Sequence, residues 1–287
     1  MRQLVVAALA SATLAANGGL AEAIEKRIAA SGAEVAVAMR TLDGAIELLI
    51  RPDLAFHAAS TMKVPVMIEL FRRADAGQLA LDTPVPVRNE FHSIVDGSVY
   101  RLSEGDDSDV EVYKHVGGTM TPRQLCEAMI TVSSNLAANV LIEKLGAKQI
   151  QSATDALGAG GMKVLRGVED DRAFEKGLNN TTTARGLLVL LTKIARGEAA
   201  SPEASRAMVE ILARQRFDDG IPAKLPPGTR VAHKTGNITK IHHDAGIVYG
   251  PRPFVIVVLV RGIEDEKVSG PLIAAIARDT YDAVSQP

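Results

Sequence analysis

A serine followed three residues later by a lysine, Ser60-Thr61-Met62-Lys63, is the first place where this sequence could do chemistry. On a helix, positions three apart share a face, so the Lys63 nitrogen can reach the Ser60 hydroxyl. A serine becomes a useful nucleophile only when a neighbouring base takes its proton. Alone the pattern is weak, because about one Ser-x-x-Lys is expected by chance in a chain of this size. Two further patterns add what acyl transfer needs. Ser133-Ser134-Asn135 falls at a break between two helical stretches, where a turn would point Ser133 and Asn135 into a cleft; taken singly, both are ordinary helix caps. Lys234-Thr235-Gly236 ends a strand. Lys234 and Thr235 would offer a positive charge and a hydroxyl to a substrate carboxylate. Gly236 would let a ligand approach the strand backbone closely.

The elements that must hold these residues follow from hydrophobic period and punctuation. Residues 20–30 have helical spacing, and 34–40 and 46–50 read as strands around Asp43-Gly44. A helix is predicted over 60–75, stopped by Gly77, with Pro65 tolerated near its first turn. Residues 84–120 form a long, acidic, irregular excursion. Thr121, Pro122 and Gln124 then supply an N-cap, a first helical position and a capping box. After a break at 131–134 a second helix covers 136–145, closed by Gly146. No periodic element is visible over 158–180. Helices follow over 183–196 and 202–214, then β-branched strands over 230–234, 245–249 and 254–260, and a closing helix over 270–284. Strands at both chain ends around a helical middle imply an α+β fold: an antiparallel sheet flanked by helices, formed from both chain ends, plus an inserted helical lobe. The expected division is a sheet-containing lobe from 18–59 and 212–287 and a helical lobe over 60–211, with a looped segment near 158–180.

Bulk properties narrow the function. The 287 residues carry 32 basic and 34 acidic side chains, a net charge of −2, which argues against a nucleic-acid partner. Trp is absent and aromatics make up 3%, so stacking is a poor candidate for the main recognition device. Cys126, the single cysteine, sits in an apolar helical run and reads as a buried structural thiol. Residues 1–17 combine Arg2, a short apolar run and small residues, the pattern of a secretory signal peptide. The run is too short to span a bilayer, and a periplasmic or secreted location is expected. His242-His243-Asp244 invites a metal reading, yet His57, His92, His115 and His233 show no helical metal spacing. No metal and no other cofactor is expected.

Taken together, in this order and on these elements, the three motifs resemble the signature of class A β-lactamases and penicillin-binding proteins. The match extends to Val64 and to the stretches 130–139 and 181–183, and the resemblance covers the chain from about Leu20 onward. It implies the β-lactamase/transpeptidase-like fold and roles for particular residues. Ser60 would attack a β-lactam carbonyl with help from Lys63. Ser133 would pass a proton to the departing ring nitrogen. Asn135 would hold the acylamide side chain and orient Lys63. Lys234, Thr235 and Gly236 would face the substrate, and the backbone N–H groups of Ser60 and Asn237 would form the oxyanion hole. The substrate would be a small molecule and the protein a monomer.

Deacylation separates β-lactamases from penicillin-binding proteins. In the family, a glutamate on an Ω-shaped loop activates the hydrolytic water, within an Arg-x-Glu-x-x-Leu-Asn pattern. Here the segment reads Arg166-Gly167-Val168-Glu169-Asp170-Asp171-Arg172-Ala173. The spacing of Glu169 from Ser133 fits the family, and Glu169 is the candidate base. The arginine is one residue farther away, and the water-holding asparagine has no counterpart unless Asn179 or Asn180 serves. Ser134 replaces the usual Asp of the second motif. Tyr100 or Tyr113 would supply an aromatic wall. The altered loop keeps three relatives of the reaction in view: a D-Ala-D-Ala peptidase or transpeptidase, an esterase, and a sensor that stays acylated.

Overall fold

The computed structural model describes residues 18–285; the expected signal peptide lies outside them. Five strands build one antiparallel sheet: β1 (Glu34–Thr41), β2 (Glu47–Ile50), β3 (Arg230–Ile238), β4 (Ile241–Tyr249) and β5 (Phe254–Arg261). Their order is β2-β1-β5-β4-β3, so the two chain ends meet at the β1–β5 pair, where Val37 lies opposite Val258. Strand period sorts the side chains between two cores. Val35, Val37 and Met39 face one side with Ile256 and Val258. Ala36 and Ala38 face the other with Val257 and Leu259. Both faces are covered, which explains why these strands read as unbroken apolar runs.

The first face is covered by α1 (residues 18–31) and α9 (Glu266–Val284). Leu20, Ile24 and Ile28 recur every four residues and put one apolar stripe of α1 into that core. The second face meets α7 (Ala184–Arg196), whose Leu187, Leu188 and Leu191 are buried. Beyond it lie α2 (Lys63–Asp75), α3 (Pro122–Thr131), α4 (Asn135–Leu145), α5 (Ala147–Ala156) and α8 (Pro202–Leu212). Helix α2 is the central post of this half: Val64, Met67, Ile68, Leu70 and Phe71 are all buried. Truncating one such side chain to Ala would cost about 2–5 kcal/mol. Thr121 caps α3 in the expected box, accepting from the Gln124 N–H while Gln124 Oε1 accepts from the Thr121 N–H.

Three departures from the sequence reading bear on the site. The helix expected from Ser60 begins as a 3-10 turn over Ala59–Met62 before α2 takes over at Lys63. Strands β3 and β4 extend farther than expected, to Ile238 and from Ile241, so Lys234-Thr235-Gly236 lies inside a strand rather than at its end. The polar residues that interrupt the apolar pattern there, His233, Lys234, His242, His243 and Asp244, are buried and paired with one another or with neighbouring elements. The segment 158–180 contains a short helix, α6 (Asp171–Glu175), too brief to show a period.

Candidate active site

Ser60 sits on the 3-10 turn at the floor of a cleft between β3 and the helices. The residue before it, Ala59, has φ 44°, a left-handed conformation that costs a non-glycine residue roughly 1–2 kcal/mol. Opposite, β3 approaches the turn so closely that a Cβ on Gly236 would lie 3.2 Å from Ser60 N and 3.1 Å from Thr61 N. Glycine is therefore required at 236 for the strand edge and the nucleophile to share one cleft. Ser60, Ser133, Asn135, Thr235 and Asn237 line a cavity of about 300 Å³.

Lys63 is completely buried. Its Nζ donates to Ser133 O (2.6 Å), Ser133 Oγ (3.2 Å) and Asn135 Oδ1 (2.8 Å), one partner for each ammonium proton. Loss of water pushes its pKa down to about 7, partly offset by the negative charges of Asp107 and Glu169. A neutral amine is thus available near neutral pH. Ser133 has φ 61°, and this kink between α3 and α4 turns its hydroxyl inward. From the other side Lys234 Nζ donates to the same Ser133 Oγ at 3.0 Å and to Thr235 O at 2.9 Å. Burial and the nearby Lys63 charge lower the Lys234 pKa as well. With two nitrogens donating to its oxygen, the Ser133 proton is left to point into the cleft.

Asn135 links the two halves of the site. Its Oδ1 accepts from Lys63, and its Nδ2 donates to Glu169 Oε1 at 2.5 Å. The Asn135 backbone is held by Asp107, whose carboxylate accepts from the N–H groups of Asn135 and Leu136 at 2.9–3.0 Å. Ser134, in place of the usual Asp, is buried and caps α4 through the Ala137 N–H.

Glu169, φ 59°, is carried by a loop fastened at several points. Arg166 donates to Leu178 O, Gly167 O and Asn179 Oδ1. Asn180 accepts from the N–H groups of Leu165 and Arg166 and donates to Arg166 O. Asn139, on α4, accepts from the Val168 N–H at 2.7 Å and donates to Val168 O at 3.0 Å. A Cβ on Gly167 would lie 2.6 Å from Asn139 Oδ1, so this clamp needs glycine at 167. Asp170 is buried, caps α6 through Ala173 N–H and accepts from the Ile94 N–H of the long excursion. Partial burial raises the Glu169 pKa, the Asn135 bond working against that rise.

Asn179 and Asn180 are both bonded at the neck of the loop, and of the two Asn180 also lines a cavity with Glu169 and Ser60. Neither Tyr100 nor Tyr113 lines the cleft. Tyr100 instead donates to Val168 O under the loop, and Tyr113 to Ser103 O; the aromatic side chain at the cleft is Phe217. Asn139, Asp107 and Gly167 were not singled out from sequence. Asn139 had a signal: it is a buried polar residue inside the apolar run of α4.

The histidine motif on β4 is split by strand alternation. His243 accepts from Val260 N–H at Nδ1 and so donates from Nε2 to His57 O; burial drives its pKa down to about 4. His242 pairs with Ser269, and Asp244 with His233 and the Ile221 N–H. Among the described residues no group of three His, Cys, Asp or Glu is arranged to hold a metal. Cys126 is buried and its thiol is pushed up by desolvation.

Comparison with known proteins agrees with this geometry. Residues 19–284 match the family model described as the beta-lactamase enzyme family. The extended-spectrum beta-lactamase PER-1 of Pseudomonas aeruginosa is 27% identical over 281 residues, covering 91% of this chain and 86% of PER-1. A beta-lactamase from Sphaerobacter thermophilus superposes with TM-score 0.80 at 26% identity, over 94% of this chain and 98% of that one. PBP-A superposes with TM-score 0.80 at 26% identity, over 93% and 96% of the two chains. An ancestral class A beta-lactamase does so with TM-score 0.79 at 28% identity, over 92% and 99%. With the fold, the motif geometry and a family match spanning nearly the whole described chain in agreement, this protein belongs to the beta-lactamase enzyme family, as a serine hydrolase of the class A type.

Proposed function

We propose that the protein hydrolyses β-lactams through an acyl-enzyme on Ser60 and releases the product with a water activated by Glu169. The observation that carries this reading is the continuous chain Lys63–Asn135–Glu169, which joins the acylation base to the deacylation carboxylate in one site. Lys63, as a free amine, takes the Ser60 proton as Oγ bonds to the lactam carbonyl carbon. The oxyanion is received by the N–H groups of Ser60 and Asn237, each donor of this kind being worth roughly 3 kcal/mol in the transition state. Ser133 passes its proton to the ring nitrogen as the C–N bond breaks and is reprotonated from Lys63. Lys234 and Thr235 hold the substrate carboxylate. Deacylation reverses the roles. Glu169 takes a proton from water, the water oxygen bonds to the ester carbon, and the Ser60 oxygen leaves and regains a proton.

One copy of the chain carries every group in this scheme, and the working unit proposed is a monomer. Residues 1–17 support export to the periplasm or medium, and among the described residues no helix is long and apolar enough to cross a membrane. The test is steady-state hydrolysis of a chromogenic cephalosporin, with intact-protein mass spectrometry. Turnover with a transient adduct on Ser60 supports the reading. A lasting adduct without turnover moves the chain to the acylated sensor, and hydrolysis of D-Ala-D-Ala peptides in preference to β-lactams moves it to the peptidase.

A further inference from the structure

A second cavity, of about 370 Å³, lies under the Ω-type loop and shares Ser60, Asn135 and Asn237 with the first. Glu169 and Phe174 also line it, and so does His57, a residue to which the motifs assign nothing. His57 is placed by a two-residue strand, Phe56–His57, paired with Thr181–Thr182. Strand alternation sends neighbours to opposite sides. Phe56 goes into the core, edge-on to His243 at 5.6 Å between ring centroids. His57 goes the other way, beneath the loop, with its ring edge-on to Phe174 at 6.3 Å.

The hydrogen bonds fix which ring nitrogen carries the proton. The Ala59 N–H donates to His57 Nδ1 at 3.1 Å, so Nδ1 is the acceptor and the neutral ring bears its proton on Nε2. Burial and the nearby Arg166 charge lower the His57 pKa, which favours this neutral tautomer at pH 7. The residue is also pinned from behind, since its carbonyl accepts from buried His243 Nε2 at 3.0 Å. No described residue accepts from His57 Nε2. The side chain thus brings one N–H of known tautomer to the cavity that contains both Ser60 and Glu169. Of the asparagine side chains at this cavity, Asn180 is already bonded at the loop neck and Asn135 to Lys63 and Glu169.

We propose that His57 is a positioning residue for the hydrolytic water, its Nε2–H donating to the water oxygen whose proton Glu169 removes. This rests on the reading of Glu169 as the deacylation base. In the step, one water O–H bond gives its proton to Glu169 and one oxygen lone pair forms the bond to the ester carbon. The remaining lone pair accepts from His57, and the ester C–O bond to Ser60 breaks. His57 itself neither gains nor loses a proton. Its effect falls on deacylation, because no such water is needed when Ser60 attacks the lactam.

The test compares His57→Phe, which keeps an aromatic ring against Phe174 without the donor, with His57→Gln, which restores an N–H. Each is reacted with benzylpenicillin, and acyl-enzyme formation and decay are followed by quenched-flow mass spectrometry. This reads a lifetime whether the parent turns over fast or slowly. Expected is acylation within about twofold of the parent for both variants. Acyl-enzyme decay should slow about tenfold or more in His57→Phe, the scale of one lost hydrogen bond, with most of the loss recovered in His57→Gln. Unchanged decay in His57→Phe overturns the proposal. So does equal slowing of both steps without recovery in His57→Gln, which would mark a purely structural role. Glu169→Gln is measured in parallel: if it decays slowly while His57→Phe does not, only the His57 inference fails, and if it decays at the parent rate, the Glu169 reading itself fails.

Discussion

The two walls of the cleft are built on different physical terms. On the side that the proposed mechanism uses for acylation, Lys63, Ser133 and Lys234 are buried and rooted in α2, the α3–α4 kink and a central stretch of β3. Both lysines donate to Ser133 Oγ, so this wall is a cluster braced through one hydroxyl inside the molecule. On the side that the proposed mechanism uses for deacylation, Glu169 rides on a loop whose fastenings are amides and backbone groups: Arg166 to Asn179, Asn180 to the neck, Asn139 to Val168. Apolar side chains of that loop, Leu165, Phe174 and Leu178, are exposed. Buried charge makes the first wall costly to alter in any part. The second is a set of separable latches, each worth about one hydrogen bond. Changes in the first wall should therefore cost more than the loss of any single latch in the second.

The hardest break is Ser60→Ala. Covalent labelling by penicillin should vanish and turnover should fall by something on the order of 10⁴–10⁶; peptide mapping that finds an adduct elsewhere would reassign the nucleophile. Glu169→Gln should separate the walls. The variant should acylate and then stall, losing about 10²–10⁴ in deacylation, seen as a burst without steady turnover. Lys234→Ala leaves Ser133 with one fewer donor and the substrate carboxylate unpaired. kcat/KM should fall by about 2 kcal/mol or more, roughly thirtyfold, and an unchanged value would remove Lys234 from the site.

A pH profile sharpens the comparison. The Lys63 pKa is depressed to about 7, so the amine is protonated below that value and free above it. Acylation in Glu169→Gln should therefore rise with pH and level off above about pH 7, falling tenfold per unit on the acid side. Were the limb to sit instead in the carboxylate range in the parent and disappear in the variant, Glu169 would be the acylation base too. The smallest effect is expected from the latches. Asn180→Ala should shorten no acylation step, slow deacylation several-fold and destabilise the fold by about 1–3 kcal/mol, the cost of unpaired buried groups; urea denaturation beside acyl-enzyme decay reads both. Asp170→Ala belongs to the same class, because it removes the α6 cap and the Ile94 anchor. Asp170 adjoins Glu169 in sequence and is buried.

Sequence by itself marked the three motifs and the frame around them. Ser60 and Lys63 stand out by their spacing, although Ser60 lies on a 3-10 turn and Lys63 bonds to Ser133 and Asn135; the strand runs at both ends carry the β-branched pattern of a doubly covered sheet, which local rules suffice to read. It determined less about β3 and β4, since buried polar residues erase the apolar alternation on which strand limits are read, and their pairing becomes visible only when β4 meets α9 and the 3-10 turn before α2. Only the tertiary structure decided the deacylation wall. That Asn139 clamps Val168, that Asn180 closes the neck, and that His57 and Glu169 line one cavity all follow from the meeting of segments 14 to over 100 residues apart. The left-handed backbone at Ala59, Ser133 and Glu169 is of the same kind. No local preference selects it, and it persists because the surrounding packing and hydrogen bonds outweigh its strain.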